Sequence, residues 1–191
     1  MPGNIIYFAI WLVVVLVLIV NARKVKPEQE KVGVNNFSRV VISLIAIFLF
    51  FESFGFPEHI FPFDYNIISS FATKHIGIIL MLIGLVIFTF ARKKLGKNWS
   101  DSSAAVLRKD HELITTGLYK YSRHPIYSGL MLIFLGNAIF IGTIGGLILL
   151  CFIIIGLAFS IRREEKFLTI HFPDQYPEYK KRVKALIPFI W

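Results

Sequence analysis

Two polar groupings, Arg123-His124-Pro125-Ile126-Tyr127-Ser128-Gly129 and Arg162-Arg163-Glu164-Glu165, carry the side chains in this chain best suited to chemistry. A guanidinium offers a planar fork that matches a carboxylate. The neighbouring imidazole holds or releases a proton near neutral pH. Pro125 is suited to the first position of a helix, and the residue before a proline is driven to an extended conformation, so His124 is expected to point off the helix axis. Such a helix start presents unpaired N–H groups that attract a carboxylate or phosphate. Gly129, one turn in, leaves room for a ligand against the backbone. The same residues also read as an interfacial cap with Tyr127 as an aromatic anchor. On chemistry alone the two readings balance.

What joins the two groupings bears on that balance. Pro125 to Ile161 is a run of 37 residues without a charged side chain or a histidine. A membrane-spanning helix takes about 20 apolar residues, so the run suits two helices, with a reversal near Gly142, Gly145 and Gly146. Folded as a hairpin, it brings Arg123 and His124 level with Glu164 and Glu165. Acidic residues at a helix C-terminus oppose the helix dipole, and Arg162 and Arg163 are their simplest neutralising partners. The alternative is that a carboxylate there holds a ligand's hydroxyl or ammonium groups beside Arg123 and His124. Cation and anion side by side suit a zwitterionic ligand.

Two further segments belong to the same side. The connector from Arg92 to Arg123 is polar, is broken by Gly96 and Gly117, and is long for a plain linker, which favours a binding loop or lid. In the tail from His171 to Trp191, Tyr179 and Arg182 stand three apart and share a face if helical. Its basic cluster, Lys180-Lys181-Arg182, reads first as a membrane-surface face.

The elements that position these residues follow from hydropathy. The chain has 191 residues, 55% hydrophobic, with a mean hydropathy of +0.66, beyond an ordinary soluble domain. The expected fold is a single all-α integral membrane domain over 1–191 with five transmembrane helices. Residues 1–91 hold the first three spans, and 92–191 form a catalytic half of connector, helical hairpin and tail. The spans are Met1 to Ala22, a second within Phe37 to Phe56, Ile76 to Ala91 extended back through Ile67 and Phe71, and the two arms of the hairpin. The positive charge after the first apolar segment argues for a span over a signal peptide. Of 21 Lys and Arg, 20 fall in the segments 21–39, 92–123 and 162–191, leaving Lys74 for the other face. The positive-inside rule then puts the N-terminus outside and the C-terminus in the cytosol. The net charge of +9 is thereby a topology signal, aided by anionic lipid heads, and not a mark of nucleic-acid binding. The five histidines are dispersed and Cys151 is the single cysteine, so no metal site is expected. Neither a dinucleotide fingerprint nor a phosphate loop is present, and no obligate protein partner is evident.

Leu113-Ile-Thr-Thr-Gly117-Leu-Tyr119, Arg123-His124-Pro125-x-Tyr127-x-Gly129, the apolar hairpin, Glu164-Glu165, and Tyr179-Lys-Lys-Arg182 with Pro188 together resemble the isoprenylcysteine carboxyl methyltransferase family. The resemblance runs from about Leu95 to Phe189. Its Arg-His-Pro-x-Tyr core is shared with phospholipid N-methyltransferases and, more loosely, with sterol reductases. The tail is more specific to the carboxyl methyltransferases, although Phe172-Pro173-Asp174 stands where that family often carries a glycine turn.

The resemblance implies S-adenosylmethionine as cofactor, a zwitterion with a sulfonium. It implies a cofactor pocket built from the connector (Leu113, Gly117, Tyr119) with His124, Tyr127, Gly129, Glu164 and Glu165. Arg123 and Arg182 would face an acceptor carboxylate, with Glu165 the third catalytic candidate. The expected reaction is methyl transfer to a lipophilic or prenylated acceptor entering from the bilayer. A phospholipid amine is the rival acceptor; it would have to lose a proton to His124 or Glu165. A sterol-type reductase and a non-catalytic membrane protein are lesser alternatives. The expected setting is a prokaryotic cell membrane, or the endoplasmic reticulum in a eukaryote.

Overall fold

The computed structural model describes Tyr7, residues 9–13, Leu16, Ile67, and residues 70–96 and 112–186. Most of the first expected span, all of the second and the connector residues 97–111 lie outside the described residues. From residue 70 on, the helical elements run in the order α1 (Phe71–Leu95), a 3-10 turn (Gly117–Lys120), α2 (Pro125–Ile141), α3 (Ile144–His171) and α4 (Gln175–Arg182).

Local chemistry sets each boundary. Ser70 and Thr73 form a reciprocal capping box, so the helix that was expected to reach back to Ile67 begins at Phe71. Arg92, Lys93 and Lys94 fill its last turn, where cations complement the dipole. Pro125 opens α2 and Gly142 closes it in the left-handed region, at φ 69°. Thr143 then caps α3 by accepting from the Gly146 N–H, 3.2 Å away. The hairpin therefore turns at the glycines that the sequence marks. Ile67 donates its N–H to the Gly142 carbonyl at 2.8 Å, which ties the approach to α1 to this turn. The C-terminal end of α1, the start of α2 and the end of α3 consequently share the opposite end of the bundle.

Helices α1 and α3 are long and apolar enough to cross a membrane; α2, with 17 residues, is shorter. At about 1.5 Å per residue α2 is roughly 26 Å long. Apolar side chains such as Phe90, Phe152 and Phe159 are exposed along α1 and α3. That is costly in water and natural against hydrocarbon.

The tightest packing is between α1 and α2, and glycines make it possible. A Cβ on Gly77 would fall 2.6 Å from the Gly136 carbonyl oxygen, and one on Gly84 would fall 2.6 Å from that of Gly129. Both pairs are spaced seven residues apart, two helical turns, so the antiparallel backbones meet twice along one seam. Met81 and Ile133 fill the seam between them. The N-terminal helical residues join this pair through Asn137, whose Oδ1 accepts from the Tyr7 hydroxyl at 2.7 Å and from Trp11 Nε1 at 3.2 Å.

Gly129 thus departs from its expected role. The space in front of it holds Gly84 oxygen and Phe88 nitrogen, within 2.8 Å of where a Cβ would sit. It is a helix-packing glycine in this structure, and its ligand space is filled by α1.

Candidate active site

The tail folds back onto the segment before α2 and fastens it. Ser122 and Lys184 form a parallel bridge, Arg123 N–H donates to the Lys184 carbonyl at 2.8 Å, and His124 N–H donates to that of Ala185 at 2.9 Å. Ser122 and Ser128 add side-chain bonds to the carbonyls of Ala185 and Leu186, at 2.8 and 2.7 Å. Tyr179, buried in α4, donates its hydroxyl to the Tyr119 carbonyl. The 3-10 turn after Gly117 (φ 66°) is in this way held under the tail.

This frame gathers Arg123, His124, Glu164 and Glu165 at one point. Arg123 donates from Nε (3.0 Å) and Nη2 (2.5 Å) to the same oxygen of Glu165. Its Nη1 reaches the carbonyls of Lys180, at 3.3 Å, and Val183. Lys180 Nζ lies 2.6 Å from the other Glu165 oxygen. The partners of Glu165 are therefore Arg123 and Lys180, whereas Arg162 and Arg163 are exposed. Within the basic cluster Lys180-Lys181-Arg182, Lys180 turns to Glu165 and Lys181 pairs with Glu178.

His124 is 4% exposed and stands between the two glutamates, with Nδ1 3.6 Å from Glu164 and Nε2 3.5 Å from Glu165. Burial alone would push the imidazole down the pH scale. The flanking carboxylates outweigh it, and its pKa is raised above the ordinary histidine value. Nε2 nonetheless has no hydrogen-bond partner among the described residues. The Tyr127 ring stacks on it at 5.7 Å.

Other expected site residues lie at differing distances from this cluster. Tyr119 is buried against Phe88, Ala91 and Ile126, and Ile114, next to half-buried Leu113, packs on the same group. Gly117 is exposed beside the Lys94 side chain. Arg182 is exposed, with Nε on the Glu178 carbonyl at 3.4 Å, so it does not share the buried face of Tyr179. Lys180 and Tyr176 were given no chemical role from sequence, yet both belong to the surroundings of Glu165. Only their shared α4 face, four residues apart, links them in the sequence.

The sequence model of the phospholipid methyltransferase family matches residues 73–175, from the first turn of α1 to the first residue of α4. The chain belongs to that family. Its relatives include the protein-S-isoprenylcysteine O-methyltransferase of Saccharomyces cerevisiae, 34% identical over 142 residues, covering 73% of this chain and 58% of the yeast protein. That of Schizosaccharomyces pombe is 32% identical, covering 71% of this chain and 56% of the relative. The chain thus spans somewhat over half the length of these two relatives. A solved structure titled as the eukaryotic intramembrane Ras methyltransferase, isoprenylcysteine carboxyl methyltransferase, has the same fold: TM-score 0.62, 24% identity, covering all of this chain and 69% of the other. This family member therefore shares the fold of that structure, and the resemblance read from the Arg-His-Pro core and the tail holds.

Proposed function

We propose that this protein is an S-adenosylmethionine-dependent methyltransferase that esterifies the carboxylate of a lipophilic, isoprenylcysteine-like acceptor held in the membrane. The observation that carries this reading is the charge balance around Glu165. Arg123 and Lys180 both pair with Glu165, and His124 lies between Glu165 and Glu164. Glu165, held by two cations, is not open to an ammonium acceptor. Two cations on one carboxylate can take a second carboxylate without leaving a buried anion unpaired.

The residues present also fit the cofactor that the family resemblance implies. An amino-acid zwitterion needs anion and cation together, and Glu164 beside His124 supplies both. The unpartnered Nε2 of His124 is a buried ring nitrogen without a hydrogen bond. When bound, S-adenosylmethionine supplies an electrophilic methyl group. An ionised carboxylate needs no base to attack it. The protein's task is to hold the acceptor oxygen in line and keep water out. Arg123 is the group of the cluster whose planar fork suits that hold, and Arg182, exposed at the rim, would meet an acceptor only as it enters.

The family's name favours a phospholipid amine as the second reading. That acceptor must lose a proton before it attacks. His124, drawn towards its protonated form by two carboxylates, is a poor base for the task. The carboxylate reading is stronger for that reason. Five spans with the N-terminus outside and the tail in the cytosol complete the proposal, because methyl donor and tail would then meet on the cytosolic side.

The experiment is incubation of the purified protein with methyl-labelled S-adenosylmethionine and a farnesylated cysteine, followed by mild base. Release of volatile labelled methanol is the expected result. Label that stays with phospholipid through the base step would overturn carboxyl methylation.

A further inference from the structure

Four hydrogen bonds fasten residues 184–186 to the segment around His124. Arg123 and His124 donate their N–H groups to the Lys184 and Ala185 carbonyls, at 2.8 and 2.9 Å. The hydroxyls of Ser122 and Ser128 donate to the Ala185 and Leu186 carbonyls, at 2.8 and 2.7 Å. Three of these donors have a second acceptor at hand that does not belong to the tail. His124 N–H lies 3.2 Å from Ser122 Oγ, Ser122 Oγ lies 3.3 Å from Ser128 Oγ, and Ser128 Oγ lies 3.3 Å from the His124 carbonyl. These second contacts make a closed path that starts and ends at His124.

A hydroxyl has one proton, so each serine donates one way at a time. With the tail down, both protons go to tail carbonyls. With the tail lifted, Ser128 turns to the His124 carbonyl, Ser122 turns to Ser128, and His124 N–H stays on Ser122. Ser122 is 4% exposed, so without such a partner its hydroxyl would be left buried and unpaired. Arg123 N–H is the one donor of the four without a substitute among the described residues; at half-buried Arg123 it must turn to water.

The tail also closes over the site. His124 is 4% exposed, and the side chains of Arg123 and Glu165 are 9% and 12% exposed. Val183, the residue before the strap, has its carbonyl held by Arg123 Nη1. A cofactor that reaches His124 Nε2 from water therefore meets a cover in which the tail takes part.

We propose that residues 184–186 are a releasable strap that lifts to admit and discharge the cofactor, and that the Ser122–Ser128 hydroxyl pair takes over the hydrogen bonds it gives up. This rests on the S-adenosylmethionine reading above. The serines then hold His124 in place in both states, so the site opens without losing its shape.

The test is amide hydrogen exchange, read residue by residue in the full chain in lipid nanodiscs and corrected for intrinsic rates. In wild type, Arg123 should exchange at least about tenfold faster than His124, the order of one retained hydrogen bond. Lifting frees the Arg123 N–H, whereas Ser122 keeps that of His124. Ser122→Ala should bring His124 to within about threefold of Arg123 by the same measure. Saturating S-adenosylhomocysteine should slow Arg123, since a ligand under the strap holds it down. Arg123 and His124 exchanging together in wild type would overturn the hydroxyl takeover even if the variant failed to fold, and so would a His124 that stays slow in Ser122→Ala. Both amides exchanging as slowly as the middle of α2 would show that the strap lifts only on unfolding. An Arg123 rate unmoved by bound S-adenosylhomocysteine would part the strap from the cofactor and overturn the proposal. No binding of S-adenosylhomocysteine by calorimetry would sink the cofactor reading and the strap's task with it.

Discussion

Arg123 and Glu165, 42 residues apart in the chain, are joined by two hydrogen bonds from one guanidinium to one carboxylate oxygen. Their side chains are 9% and 12% exposed, so the pair is largely out of water. Breaking one partner of such a pair costs more than an exposed ion pair is worth, because the other charge is left behind. The same guanidinium reaches the Lys180 and Val183 carbonyls, so one side chain joins the start of α2, the end of α3 and the tail.

Arg123→Lys keeps the charge and loses the fork. A single ammonium cannot serve Glu165 Oε1 and two carbonyls at once. Methyl-ester formation should fall at least tenfold, from a loss of about 1.5–3 kcal/mol for a charged hydrogen bond. Steady-state assay with a farnesylated cysteine reads it directly, and a lysine variant as active as wild type would mean that bidentate geometry is unimportant here.

His124 gives the fold a pH dependence of known sign. Its pKa in the folded protein is raised, against about 6.5 unfolded. The stabilisation it provides is fully present below the unfolded value and is lost as pH rises through the raised folded value. Wild type should therefore exceed His124→Asn in unfolding temperature most at about pH 6, with the gap closing towards alkaline pH. A gap that widened with pH would show that the imidazole is neutral in the folded state.

The glycine seam makes a sharper prediction about stability. At Gly84 a valine would drive its side chain into the Gly129 carbonyl and the Ile133 backbone, both within 2.8 Å of the new Cβ. Neither is a flexible side-chain end, so the helices must separate. We expect Gly84→Val to cost about 1–3 kcal/mol or more, the usual range for overpacking. Gly156→Ala in α3, with nothing within 4 Å of its Cβ, should leave the unfolding temperature in detergent unchanged.

Some of this was legible beforehand and some was not, for physical reasons. The meeting of Arg123 and His124 with Glu164 and Glu165 followed from an uncharged run long enough for two helices and glycines at its middle. The misreading of Gly129 came from treating it alone, since a missing Cβ serves a ligand and a neighbouring helix equally well. Its spacing to Gly136, repeated at Gly77 and Gly84, was the signal for helix packing. The strap of residues 184–186 on 122–124 leaves no such trace. Beyond the two serine hydroxyls that join it, it is made of backbone bonds between segments some 60 positions apart, which any residues but proline could make. The division of labour in the basic cluster was equally hidden, because Lys180 and Lys181 differ only in the direction that α4 gives them.

That division is open to a direct comparison. Lys180 Nζ holds Glu165 at 2.6 Å, while Lys181 holds the exposed Glu178 at 2.7 Å. Lys180 is itself half exposed, so solvent screens its pair and the effect on stability should be small. Its effect on catalysis should be larger. Without Lys180, Glu165 depends more heavily on Arg123 and competes harder with an acceptor carboxylate for the guanidinium. Lys180→Met should thus raise the acceptor KM several-fold with little change in unfolding temperature, and Lys180→Arg should restore it. Lys181→Met, one residue along, should match wild type in both. If the two methionine variants instead lose activity equally, and lose binding to anionic vesicles in parallel, the cluster acts as a membrane-surface face and the Lys180–Glu165 pair is incidental.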